Sequence, residues 1–504
     1  MRFWLFRRIV VKHLSAAFLV LSAAYAQDIP KAWSDESVAG FRLPLAGLGH
    51  PPKMVSGDRY YSLPEYNVKT YPVYTPEREP KGYIEWLEQQ DPQPLVDISK
   101  LKTKADYIAA GREVSYGREL PRFTGSEDNY NLIRDPEVIK AYGLQITKDG
   151  VLLGLRYVIR QKGKIELGTD TCAMCHTRVE KDGTVIEGPA NGHTPFGALM
   201  GSLTRRYAQI GPDFLEERRR KHMREDYRVP FLNPDENAAV AELPAEEIAK
   251  LYDQNPLGVH ARTGAGLIYP VKIANLIGLA DYKFFDRTGT SRQRSIADLM
   301  RYSGAIADVS DALTEFRGGD HLLLANMGLA QGIRRTPDPL LYALALYIYS
   351  LRPPANPNPV NEVSRRGEAV FKAQGCGNCH TAPLYTNNRL TLAKGYHPSP
   401  EIMRETGAMD VSVGTDPGLA LKTRRGTGFY RVPSLRMIWM DVAFLHDGSI
   451  GTLEELFDRK RLDPGFRSSN WAPITKPHAV EGHEFGLNLK PEDRTALLAF
   501  LKTL

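Results

Sequence analysis

A mainly α fold in two like units, with a long irregular stretch ahead of them and a few short β elements, is what the sequence predicts. Three observations predict it. The pattern C-x-x-C-H occurs twice, at Cys172-Ala173-Met174-Cys175-His176 and at Cys376-Gly377-Asn378-Cys379-His380, with the first cysteines 204 residues apart. Apolar stretches of helical character lie around them, at 339–351, 365–374 and 491–504. Between the units runs Arg352-Pro353-Pro354-Ala355-Asn356-Pro357-Asn358-Pro359, which cannot be helical and marks the clearest boundary in the chain.

The motif carries its own chemistry. Two thiols at this spacing form thioethers with the vinyl groups of a haem, and the adjacent histidine is placed under the iron as an axial ligand. A bare C-x-x-C would also suit half a zinc site or a redox pair. All four cysteines of the chain, however, fall in the two motifs, and histidine follows each pair at once. No further pair remains to complete a zinc site or to form a disulfide. The reading is therefore two covalently bound haem c groups, held by Cys172, Cys175, Cys376 and Cys379 and ligated by His176 and His380. The units become two cytochrome c-like haem domains.

In 504 residues with a 42% apolar share, two such domains and their extensions find ordinary cores. Residues 1–26 read as a secretory leader: Arg2, Arg7, Arg8 and Lys12, the apolar run Leu14 to Ala24, then Ala24-Tyr25-Ala26. The apolar run is short for a bilayer span, so no permanent membrane anchor is expected. Export to the periplasm agrees with c-type attachment. Without the four positive leader residues the formal charge falls from +6 to +2, which leaves no basic stripe for nucleic acid. Glu216-Glu217-Arg218-Arg219-Arg220-Lys221 reads as a solvated helix face.

Residues 27–118 form the irregular extension, rich in proline and tyrosine, with short helical pieces at 84–89 and 105–114. Its rings (Tyr60, Tyr61, Tyr66, Tyr71, Tyr74) must bury against something, so it reads as a strap over the haem domains. The first haem domain spans 119–351, with an insertion at about 198–261. Its run Gly150 to Arg160 is β-branched and apolar, and a turn at 161–164 makes a hairpin that feeds the first motif. Helical pieces follow at 245–253 and 295–303. The linker is 352–360, and the second haem domain is 361–504. Its last helix starts at Pro491, has Glu492 and Asp493 in the first turn, and presents Leu497, Leu498, Phe500, Leu501 and Leu504 to a core. No repeat is detectable beyond the motif itself.

The C-terminal third resembles the bacterial diheme cytochrome c peroxidase superfamily, which includes the methylamine-utilisation diheme enzymes and the diheme rubber oxygenases. The resemblance rests on Arg365 to His380, Tyr430-Arg431-Val432-Pro433-Ser434-Leu435-Arg436, Phe444-Leu445-His446-Asp447-Gly448-Ser449 with Thr452-Leu453-Glu454-Glu455, and the final helix. It is close over 361–504 and looser over 165–350, where the spacing is similar to that of the rubber oxygenases. Residues 27–160 lie outside it.

The resemblance implies roles for several positions. Where the peroxidases place a methionine ligand of the C-terminal haem, this chain reads Glu481-Gly482-His483-Glu484-Phe485-Gly486, and no methionine follows Met440. His483 is the natural substitute, against the plainer reading of a surface histidine in a turn. Phe285, in Phe284-Phe285-Asp286-Arg287, takes the place of a tryptophan between the haems. It is harder to oxidise, and simple core packing is an equal reading. His193, 17 residues after His176, corresponds to a distal histidine that ligates or moves a proton; a solvated loop histidine is the alternative. Met200, Met300 and Met327 stand as further ligand candidates for the first haem, or as core. Arg436 pairs with a haem propionate or makes a surface salt bridge. His446 and Asp447 read as structural.

Function follows as an expectation: a periplasmic diheme oxidoreductase whose first haem activates peroxide or dioxygen while the second relays electrons to or from a periplasmic donor or acceptor. One alternative is a rubber-oxygenase-like dioxygenase on an organic substrate. The other is a non-catalytic diheme electron carrier, against which the chain length speaks. A pyridine haemochrome assay on mature protein is expected to find two thioether-linked haems per chain; fewer than two would remove this reading.

Overall fold

Two helix crossings, each seated on a glycine, frame the molecule. In this computed structural model, residues 29–125, 134–141, 143–169, 171–210, 220, 223–224, 227–262, 264–307, 314–315 and 334–504 are described. The helix Lys104–Gly117 packs on the helix Asp338–Ser350, and the helix Glu362–Ala373 packs on the helix Pro491–Lys502. At the first crossing a Cβ on Gly111 would lie 2.0 Å from Ala343 O and 2.7 Å from Tyr347 Cβ. At the second, a Cβ on Gly367 would lie 1.9 Å from Ala496 O and 2.8 Å from Phe500 Cβ. Both glycines thus meet a carbonyl and the side chain four residues on. Only glycine lets the backbones come this close.

The N-terminal region is more regular than its composition suggests. The strand Thr70–Tyr74 joins Val151–Gln161, Lys164–Thr169 and Leu120–Gly125 in a four-stranded antiparallel sheet, with Tyr71 opposite Tyr157 and Tyr157 opposite Leu167. The hairpin 151–169 stands where the β-branched, apolar run and the turn at 161–164 placed it. Tyrosines of the extension do bury their rings: Tyr60 stacks on Trp33 at 4.8 Å, and Tyr66 and Tyr71 are buried. The helix Lys104–Gly117, within the span read as irregular, is closed by a capping box between Thr103 and Asp106. Its packing on Asp338–Ser350 joins it to the helices around the first motif.

Most helices stand where the sequence puts them: Tyr83–Glu88, Ala245–Asp253, Ile296–Ala307, Asp338–Ser350, Glu362–Ala373 and Pro491–Lys502. Residues 352–360 form neither helix nor strand, and Asn356 Nδ2 ties them back to Lys502 O at 3.0 Å. The leader, Met327 and most of the charged run 216–221 lie outside the described residues.

A repeat invisible in the sequence emerges in the backbone. The 3-10 turns Leu279–Asp281 and Ile438–Met440 are each preceded by a left-handed residue, Gly278 at φ 75° and Met437 at φ 62°. After each comes a tight hairpin: Phe285 pairs Ser291 in one, and Phe444 pairs Ile450 in the other. Left-handed residues recur in step, Asp286 (70°) with Leu445 (64°) and Gly289 (65°) with Gly448 (71°). This register puts Arg287 and His446 in equivalent places. Since the two crossings also match, Gly367→Val is expected to separate its helices and destabilise the protein by about 1–3 kcal/mol or more. Thermal unfolding followed by circular dichroism measures it.

Candidate functional site

The second motif is built by the helix Glu362–Ala373 and the turn beyond it. Asn361 and Ser364 form its capping box, and Gly375, left-handed at φ 71°, ends it and opens the 3-10 turn Cys376–Asn378. His380 N–H closes that turn on Cys376 O at 2.9 Å. The imidazole Nδ1 lies 3.1 Å from both Tyr385 O and Pro433 O. A carbonyl only accepts, so Nδ1 carries the proton and Nε2 keeps its lone pair, the form that binds a metal.

His483 faces it. Their ring centroids are 6.4 Å apart with the planes at 61°. Two imidazoles sharing one metal, with bonds of about 2 Å and roughly 1.1 Å from each nitrogen to its ring centre, stand about 6.2–6.3 Å apart. The observed spacing fits a haem iron between them. His483 Nδ1 is buried without a hydrogen-bond partner. Burial, then the neighbouring His380, pushes its pKa down to about 4. Burial likewise lowers that of His380. Both rings are neutral near pH 7, as ligands must be.

The first motif sits under the sheet. Gly154 (φ 88°) lets the strand Val151–Gln161 lie against Met174, because a Cβ there would come 2.4 Å from Met174 Cβ. Asn191 braces the turn with its N–H on Cys175 O (2.8 Å) and its Nδ2 on Met174 O (2.8 Å). His176 Nδ1 lies 2.9 Å from Ala274 O, the same arrangement as in the second motif. Burial lowers its pKa to about 4. His193 follows Asn191 in the loop and is exposed; among the described residues no ring contact joins it to His176. Partial burial, then Arg178, lowers its pKa. Met300 is fully buried in the core and Met200 packs at the edge of a second cluster.

A polar layer ties the segment beneath the first motif to residues 441–446. Arg287 donates from Nε to Lys272 O (3.3 Å) and from Nη2 to Ile273 O (3.0 Å), while Lys272 N–H reaches His446 O at 2.9 Å. Lys272 Nζ pairs with Asp441 at 2.5 Å. Asp286 sits between Arg262 (2.9 Å) and Arg425 (3.0 Å). Burial alone would raise the Asp286 pKa, but the two guanidinium groups hold it far below the usual carboxylate range. His446 stacks on Tyr430 at 4.3 Å, and its Nε2 lies 3.1 Å from the Tyr430 hydroxyl.

Phe285 is buried and stacked on Tyr302 at 4.6 Å, in the same core as Met437 and Met440. Arg436 lies at the surface, where Nη2 pairs with Asp281 at 2.7 Å. Its guanidinium is thus engaged by a carboxylate of the chain. The cations whose charge acts on the first motif's histidine are Arg262 and Arg287, neither of which the sequence singles out for a propionate. Backbone acceptors such as Ala274 O carry no sequence signal at all.

No family model matches the chain, and no curated protein matches it. Among solved structures it is similar to a MauG-like protein associated with microbial copper homeostasis, at 21% identity over 33% of this chain and 56% of that one, with a TM-score of 0.22. The chain therefore spans little more than half of that protein's length. It is also similar to the diheme peroxidase BthA from Burkholderia thailandensis E264 (16% identity, 91% of this chain and 94% of that one, TM-score 0.28). A third likeness is to hydrazine synthase from Kuenenia stuttgartiensis (14%, 60% and 92%, TM-score 0.27).

Removing Asp286 would strand two cations in the polar layer. Asp286→Ala is expected to cost about 3–5 kcal/mol in chemical denaturation at pH 7. Because folding lowers this pKa, the stabilisation is present above the unfolded value of about 3.9 and is lost as pH falls through the lower folded value. Wild type and variant should therefore converge only in strong acid.

Proposed function

We propose that this chain is an exported, periplasmic diheme c-type oxidoreductase. In this reading the first haem meets peroxide or dioxygen and the second relays electrons to or from a periplasmic partner protein. The observation that carries it is the contrast between the motifs: both histidines have Nδ1 tied to main-chain carbonyls, and His380 has His483 facing it at 6.4 Å. Bound iron would supply the redox change and the coordination site for the oxidant.

The residues divide that work. Cys172, Cys175, Cys376 and Cys379 would anchor the two haems, and His176 and His380 would be the ligands on one side of each. His483 would close the second iron to small molecules and lower its potential relative to a methionine ligand. Arg262 and Arg287 would supply positive charge beside the first haem, while Arg436 keeps its pairing with Asp281. His193, neutral near pH 7, would accept a proton at its ring and return it to the departing oxygen. Phe285 would fill the space between the haems by packing.

The imidazole facing His380 also favours the oxygenase form of this reading, with an organic substrate, since the rubber oxygenases resemble the chain at that position. A stable dioxygen adduct in isolated protein supports that form, and rapid peroxide-driven oxidation of a reduced cytochrome supports the peroxidase.

Electron paramagnetic resonance of the oxidised holoprotein is expected to give one low-spin bis-histidine signal and one signal from a haem with an exchangeable sixth position. Ferrous protein should bind one carbon monoxide per chain. His483→Ala should convert only the second haem and raise this to two. Two low-spin haems that ignore both peroxide and carbon monoxide would replace the enzyme by an electron carrier.

A further inference from the structure

Arg461 is fully buried, although it stands in the basic run Arg459-Lys460-Arg461. A buried guanidinium normally has a carboxylate beside it. This one makes no ion pair among the described residues, and Glu484 acts on it only through space. Its donors go instead to four main-chain carbonyls. Nε donates to Leu456 O at 3.0 Å, Nη1 to Val480 O, and Nη2 to both Gly482 O (2.7 Å) and His483 O (3.0 Å). Val480 N–H returns the contact to Arg461 O at 2.7 Å.

Three of those carbonyls belong to the turn that presents His483, and the turn is a strained one. His483 itself is left-handed at φ 48°, a region that a residue with a Cβ disfavours. Gly482, at φ 80°, lies so close to the neighbouring loop that a Cβ would come 2.3 Å from Thr415 N. His483 N–H completes the clamp on Val413 O at 2.6 Å. Released from these contacts, His483 would relax toward ordinary backbone and swing its ring away from His380.

We infer that Arg461 is a positioning residue: its guanidinium holds the Val480–His483 turn in the left-handed form that aims the His483 imidazole at His380. The inference rests on the proposed ligation by His483 and adds what enforces it. Arginine suits the task because its planar fork reaches several carbonyls at once and stays charged at every working pH. The ammonium of lysine reaches fewer.

The test uses holoprotein carrying both haems, with Arg461→Met, Arg461→Lys and His483→Ala made in parallel. In Arg461→Met the low-spin signal of the second haem should give way in part to high-spin. The share of second haem that binds carbon monoxide should rise on the order of tenfold, as expected when a clamp on one strained residue is removed. The first haem's spectrum should stay unchanged. Added imidazole should restore the low-spin signal, and Arg461→Lys should fall between wild type and Arg461→Met. A second haem that stays fully low-spin and closed to carbon monoxide in the variants, with only the melting temperature lowered, overturns the inference. Should Arg461→Met fail to fold, the lysine variant decides in the same terms. His483→Ala separates the two claims: if its second haem remains low-spin, the ligand assignment fails, whatever Arg461 does.

Discussion

A hydrogen bond from an imidazole Nδ1–H to a main-chain carbonyl recurs beneath both motifs, and much of the fold serves to deliver that carbonyl. Ala274 is 98 residues from His176, and Pro433, which shares the His380 ring with the nearby Tyr385 carbonyl, is 53 from His380, so each ring has an acceptor far along the chain. Each requires a returning loop to arrive at a fixed height under a short, tightly turned motif. The bond settles which nitrogen holds the proton and which is free for a metal. Lost burial around these rings would let them take up protons and cease to be ligands, so packing and ligand chemistry are the same constraint seen twice.

The carbonyls arrive through a piece of backbone used twice. In each half a left-handed residue starts a 3-10 turn, and a tight hairpin follows with left-handed residues at matching places. Side chains have diverged within this common frame. Arg287 in one copy answers to His446 in the other, and Asp286, which needs two arginines, answers to Leu445. The frame is kept while the polarity of each copy is set separately, which is how one backbone device can serve two sites of different electrostatic character.

Much of this was legible beforehand, and the reasons for the remainder are physical. Cysteine and histidine at a fixed, twice-used spacing stand out in the sequence by themselves. The hairpin 151–169 and the final helix were legible from their apolar patterns and end signals. His483 stood out through its place and the lack of later methionines. The helix Lys104–Gly117 was read only as a short piece inside an irregular stretch, because its apolar face is weak and small residues such as Gly111 carry the contact. The repeat escaped because two of its left-handed positions are carried by Leu445 and Met437, residues that give no hint of such a conformation. Arg461 escaped because a buried arginine in a charged run looks like any other, and its partners are carbonyls. Arg436 was assigned from charge alone, and Asp281, 155 residues away, could not be anticipated.

Residues 272–274 touch both halves of the fold. The Lys272 amide holds the carbonyl of His446 from one half, and two residues later the Ala274 carbonyl holds the imidazole of His176 in the other. Arg287 clasps the two carbonyls between them. Three consecutive peptide units therefore act as a short rod between the hairpin of one half and the axial histidine of the other. A shift of the 444–450 hairpin would pull on the same short stretch of main chain that carries the acceptor of the His176 ring, so the two halves of the fold are tied together at this point.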